Sequence, residues 1–72
     1  MVKKQIPDHI VRKVRAYLIL KNVSNADIAL LSGRKESSVR GVKYGFFKSR
    51  HIQSCISQLL KVDHKKLWGK AA

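Results

Sequence analysis

NADIALLSGRKESSVRGVKYG, residues 25–45, decides the fold. Ile28, Ala29 and Leu31 give an apolar face to a first short helix expected from about Asn25 to Ser32. Ala29 is small, so a second helix can cross close to it. Gly33 follows four residues later, where a chain leaving a helix often needs a left-handed residue. Val39 and Val42 then fall on one side of a second helix, expected from about Glu36 to Tyr44 and stopped by Gly45. Ser37, Arg40, Gly41 and Tyr44 lie opposite that side. An alanine, a glycine four later and an aliphatic residue six after that is the helix-turn-helix spacing.

The outward side of the second helix has the chemistry of a nucleic-acid reader. Arg40 can make two hydrogen bonds to guanine O6 and N7, worth about 1–3 kcal/mol of discrimination. Ser37 and Glu36, near the helix start, can reach several kinds of base; Glu36 either accepts from cytosine N4 or offsets the helix dipole. Tyr44 has two readings, packing on a sugar or methyl group or covering the edge of the core. Gly41 inside a helix costs about 1 kcal/mol relative to alanine. Facing outward, it would let the backbone approach a groove wall; otherwise it faces a neighbouring chain or is merely tolerated. Ahead of the first short helix, Ser24 can cap, and Asp27 three residues on can reach back as in a capping box, with Asp where Glu or Gln is usual. Asn25, beside the N-terminal amides, is either a phosphate contact or plain surface.

The flanks also read as helices. Asp8 is a good N-cap for a helix from His9 to about Lys21, whose stripe is Ile10, Val14, Tyr17 and Leu18 with Val11 beside it, and which Asn22 would stop. Arg12, Lys13 and Arg15 fall mostly away from the stripe. Phe46 and Phe47 are adjacent and cannot both point inward; one plugs the core and the other serves a dimer contact or stacks on a base. Lys48, Ser49 and Arg50 precede the next helix and together suit a phosphate backbone, and Ser49 can also cap that helix. Its stripe, Ile52, Cys55, Ile56, Leu59 and Leu60, ends near Lys61. In DHKKLW, Asp63 starts a short last turn that returns Leu67 and Trp68 to the core. The expected organisation is a flexible basic leader over residues 1–7, one all-α domain of four to five helices over 8–69, and a tail over 70–72.

Composition bounds the function. A chain of 72 residues is one domain and buries only about 60% of its unfolded surface. A dimer would add core. Sixteen Lys and Arg against four Asp and Glu give a formal charge of +12, which points to a polyanionic partner. The longest apolar run is the five residues Ala16 to Leu20, and no apolar segment follows the basic N-terminus. Neither a membrane span nor a signal peptide is expected, and the chain reads as a soluble cytoplasmic protein. The first helix is basic and amphipathic, so contact with a membrane surface is the lesser alternative. Cys55, the single cysteine, reads as a buried small hydrophobe. His9, His51 and His64 show no metal spacing and read as surface or cap-adjacent. With four scattered acids, no phosphate-binding glycine loop and no nucleophile–base arrangement, the chain reads as a non-enzyme without metal, cofactor or small-molecule ligand.

Ala29, Gly33, Val39, Gly45 and the ending LLKVDHKKLWG together resemble the lambda-repressor-like helix-turn-helix family over about residues 8 to 69. Ending on a Trp is also similar to the small phage Ner-like regulators. The resemblance implies a compact four- to five-helix domain that binds double-stranded DNA, as a homodimer on a two-fold operator, in a phage or prophage repressor. It puts Lys35, Glu36, Ser37, Arg40 and Tyr44 at base-facing positions. It puts Asn25, Lys48, Ser49 and Arg50 at backbone-contacting ones, and Arg34 and Lys43 are assigned to the DNA backbone as well. Three residues depart from the family pattern. Arg34 replaces the usual aliphatic after the turn glycine, Lys35 stands where a small hydroxylated residue is common, and Asn25 stands where Gln is frequent. Two competing readings remain: a non-specific architectural DNA- or RNA-binding protein, and a protein-interaction module on the same scaffold.

Overall fold

A computed structural model describes residues 5–46 and 48–69. Its helices are α1 (Asp8–Leu20), α2 (Asn25–Ser32), α3 (Glu36–Lys43), α4 (Arg50–Leu60) and α5 (His64–Trp68), and no strand occurs among the described residues. Residues 1–4 of the expected leader, the tail residues 70–72 and Phe47, expected in the core or at a dimer contact, lie outside the described residues.

The α1 stripe is as expected: Ile10, Val11, Val14 and Leu18 are buried, and Tyr17 packs half-buried against them. Asp8, expected as the N-cap, is instead the first helical residue, and Pro7 holds the cap position. The Pro7 carbonyl accepts from the Ile10 and Val11 amides at 3.1 Å each. Asp8 thus lies in the first turn, where a carboxylate meets the positive end of the helix dipole. The leader is shorter than expected as well, because Ile6 is a core residue, only 1% exposed. A residue before proline is held extended, so Ile6 can reach the core without belonging to any helical stripe. The Gln5 and Ile6 amides both donate to the Gly45 carbonyl, at 2.8 and 3.2 Å, and tie this segment to the end of α3.

α2 has the bounds expected from its capping signals. The Ser24 hydroxyl accepts from the Asp27 amide at 3.1 Å, and an Asp27 carboxylate oxygen accepts from the Ser24 amide at 2.9 Å. These two bonds hold the Asp27 carboxyl below its ordinary value, the backbone one most. A folded-state value below the unfolded one stabilises above the unfolded value and is lost as pH falls through the folded one. Stability is therefore expected to drop below about pH 4. Asp27→Asn should remove that part of the drop, which paired pH titrations of the urea midpoint would measure.

Three helices end by one device, a Schellman motif with a left-handed residue just past the helix. After α1, Asn22 has φ 56° and the Val23 amide donates to the Leu18 carbonyl at 2.9 Å. After α3, Gly45 has φ 86° and the Phe46 amide donates to the Gly41 carbonyl at 2.9 Å. After α4, Lys61 has φ 56° and the Val62 amide donates to the Ser57 carbonyl at 3.1 Å. At Gly45 space matters too: a Cβ would lie 2.7 Å from a Val11 methyl and 3.1 Å from the Ile6 carbonyl oxygen. α2 ends at Gly33, whose φ of 69° favours glycine although a Cβ there would meet nothing within 4 Å.

The core joins Ile6 and the α1 stripe to Ile28, Val39, Val42, Ile52, Ile56, Leu60, Leu67 and Trp68. α2 packs on α3 and α4, α1 on α3 and α5, and α4 on α3 and α5. Cys55 is buried as expected. Leu31 was expected on the apolar face of α2 but is 46% exposed, and Leu30 is 87% exposed. A two-turn helix wedged between two neighbours needs little more than Ile28 and Ala29 to fill its contact. Trp68 closes the domain with a satisfied indole, whose Nε1 donates to the Gln53 carbonyl at 3.1 Å and the Ser57 hydroxyl at 3.0 Å. The Ser57 hydroxyl itself donates to the Gln53 carbonyl at 3.0 Å. His64 is half-buried, with Nδ1 3.4 Å from the same hydroxyl.

Candidate nucleic-acid interface

The orientation of α3 follows from its two valines. Val39 and Val42 are completely buried. At 100° per residue, Glu36, Ser37 and Arg40 then point to solvent, and all three are exposed. Gly41, Lys43 and Tyr44 are half-buried at the margin. Tyr44 is the C-cap, one residue past the helix that was expected to include it. Lys35, exposed, occupies the N-cap position and makes no side-chain cap bond, as a donor-only side chain must. The C-terminal end is pinned from behind by the bonds from Gln5 and Ile6 to Gly45.

The contacts around Tyr44 bring three helices together. The Arg15 guanidinium of α1 lies 4.9 Å from the Tyr44 ring centroid, and the Lys43 ammonium 5.8 Å from it. Such contacts at exposed sites stabilise by about 0.5–1 kcal/mol. The same Lys43 Nζ donates to the Asn25 side-chain oxygen at 3.2 Å, across to the start of α2. Asn25 and Lys43, expected separately as backbone contacts, are therefore partners. Arg15 is a member of this cluster that no sequence pattern singles out: it sits on the polar side of α1, and only the packing of α1 on α3 brings it to Tyr44.

The turn between α2 and α3 is held by bonds around the Ser32 hydroxyl. The Arg34 amide donates to the Ser32 hydroxyl at 3.2 Å, and that hydroxyl donates to the Ala29 carbonyl at 3.3 Å. The Ser32 carbonyl is in turn bonded by His51 Nε2, at 2.8 Å, so this imidazole nitrogen carries its proton and closes the end of α2. The Arg34 side chain is left exposed. Lys48 and Arg50 are exposed too, whereas Ser49 is half-buried and caps α4 by accepting from the Ile52 amide at 3.4 Å. The Lys48 amide donates to the side-chain oxygen of Gln5 at 3.3 Å, and the Gln5 amide donates to the Gly45 carbonyl.

All four carboxylates are spent at helix starts. Asp8, Asp27 and Glu36 lie in the first turns of α1, α2 and α3, and Asp63 caps α5 by accepting from the Lys66 amide at 3.3 Å. The basic side chains therefore dominate the surface field, but they are not confined to the α3 side. Lys61, Lys65 and Lys66 lie at the end of α4 and on α5, and Lys13 Nζ donates to the Lys66 carbonyl at 2.7 Å. Among the described residues no group of three or more His, Cys, Asp or Glu could hold a metal ion, and no helix is long and apolar enough to cross a membrane. No protein-family model matches the chain, and neither does any curated protein or solved structure.

Proposed function

We propose that the chain is a sequence-specific regulator of the lambda-repressor-like kind that binds double-stranded DNA, with α3 in the major groove. The observation that carries this reading is the burial of Val39 and Val42, which leaves Glu36, Ser37 and Arg40 as one outward row beside half-buried Gly41. An eight-residue helix is about 12 Å long, a match to the roughly 12 Å width of the groove. Arg40 reads a guanine, Ser37, Glu36 and Lys35 read neighbouring bases, and Tyr44 packs at the groove edge. Asn25, Arg34, Lys43, Lys48, Ser49 and Arg50 contact phosphates, and Arg15 joins them through Tyr44.

Size supports a dimer. The longest dimension of the domain is 29 Å, whereas half-sites one helical turn apart are roughly 34 Å from centre to centre. One copy cannot read both.

Arg40→Ala is expected to weaken binding to the specific site by about 1–3 kcal/mol and to leave binding to unrelated duplex nearly unchanged. Fluorescence anisotropy with both duplexes measures this. An equal loss on both would reduce Arg40 to a phosphate contact. That result would favour the second reading, a non-specific DNA- or RNA-binding protein, which Lys61 just past α4 and Lys65 and Lys66 on α5 support.

A further inference from the structure

Among the described residues, Leu30 on α2 is the most exposed large hydrophobic side chain, ahead of Ile19 and Leu20 on α1. Leu30 is 87% exposed and Leu31 46% exposed, in a helix otherwise packed against α3 and α4. They border an open groove of about 450 Å³ lined by Val23, Asp27, Leu30, Leu31 and Leu59, between α2 and the end of α4. None of these residues belongs to the candidate DNA interface.

The charge pattern says what covers this groove. The chain carries sixteen Lys and Arg, yet α2 (Asn25–Ser32) contains none, and α4 (Arg50–Leu60) has one only at its first residue. An acidic protein partner would gain by docking on the basic faces. A second copy at +12 can dock closely only where like charges are absent, and the α2–α4 face is such a place. The shape suits self-association as well. A two-fold interface uses the same patch on both subunits, so one patch must carry both a projection and a recess. Here the projecting Leu30 stands on the rim of the groove that would receive its counterpart.

We propose that two copies of the chain associate through this face, with Leu30 of each seated in the Val23–Leu31–Leu59 groove of the other. The proposal rests on the dimeric reading above, but it does not depend on DNA, and salt separates the two. Raising salt screens the repulsion between two cationic copies and strengthens self-association. The same change weakens DNA binding, because counterions released into a saltier solution gain less entropy.

The test is sedimentation equilibrium of the free protein from micromolar to millimolar concentration, at low and high salt. Three proteins are compared: wild type, Leu30→Glu, and a control, Leu20→Glu. Leu20 is 78% exposed on α1 and lies outside the groove. The expected result is a wild-type monomer–dimer equilibrium that tightens with salt. Leu30→Glu should weaken it by on the order of 100-fold, because the two-fold axis counts each substitution twice, and Leu20→Glu should leave it unchanged. At concentrations where wild type is monomeric, thermal melts of both variants should match it, since both side chains are exposed. A wild-type monomer at all concentrations would overturn the proposal, including the case in which the patch captures an unrelated protein. A dimer that tolerates Leu30→Glu, or that Leu20→Glu disrupts, would overturn the assigned surface. If the dimer forms but no duplex sequence is selected, the DNA reading fails while this one stands.

Discussion

Val39→Asp is expected to unfold the domain at room temperature. The Val39 side chain is completely buried in the hydrophobic core, where α3 packs on α1, α2 and α4. An ionised carboxylate there would be an uncompensated buried charge, and a protonated one would still lack hydrogen-bond partners. The cost exceeds about 4 kcal/mol, the range reached only by severe core defects. Domains are stable by roughly 0.05–0.15 kcal/mol per residue, so a chain this short has little more to lose. Circular dichroism should show loss of helix and of any cooperative melt. A melt equal to wild type would mean that Val39 faces solvent, which would rotate Ser37 and Arg40 toward the core and remove the proposed reading face.

The second large effect lies at the other end of the chain. Trp68→Ala is expected to destabilise by about 3–5 kcal/mol. Trp68 is fully buried, and its indole N–H is shared between the Gln53 carbonyl and the Ser57 hydroxyl. Truncation leaves a cavity among α1, α4 and α5 and removes a donor from two acceptors. Trp68→Phe separates the two contributions. It retains most of the ring volume, so it should cost far less than Trp68→Ala, about 1–2 kcal/mol for the lost N–H bonds. Urea denaturation of the three proteins gives the comparison. Equal losses for Phe and Ala would mean that the polar bonds, and not the packing, hold the last helix in place.

What the sequence made legible was mostly local. Ser24 and Asp27 fixed the start of α2 because a capping box is a four-residue signal, and Gly33 marked its end because a left-handed residue was needed there. The phase of α3 followed from two valines three apart. What escaped was set by contacts between segments distant in the chain. Ile6 sits before a proline and outside any stripe, so only its neighbours Gly45 and Val11 reveal it as core. Asp8 and Pro7 exchanged roles by one residue, a shift that capping preferences do not resolve. Gln53 and Ser57 lie outside the apolar stripe expected for α4, yet both are buried, and Ser57 serves Trp68. Leu31 failed its expectation because α2 is too short for periodicity to separate an inner from an outer face. Of the candidate site, the exposed row on α3 was readable from the helix phase. The Arg15–Tyr44 contact and the Lys43–Asn25 bond were not, because each joins different helices.

The proposed role in reading DNA depends most directly on one experiment, selection by the purified, folded chain from a random duplex library at about 150 mM salt, where non-specific binding is only about 10⁻⁴–10⁻⁶ M. The expected result is an enriched two-fold motif with half-sites about 10–10.5 base pairs apart, containing a guanine whose preference is lost with Arg40→Ala. Recovery of no motif by the folded protein would contradict it.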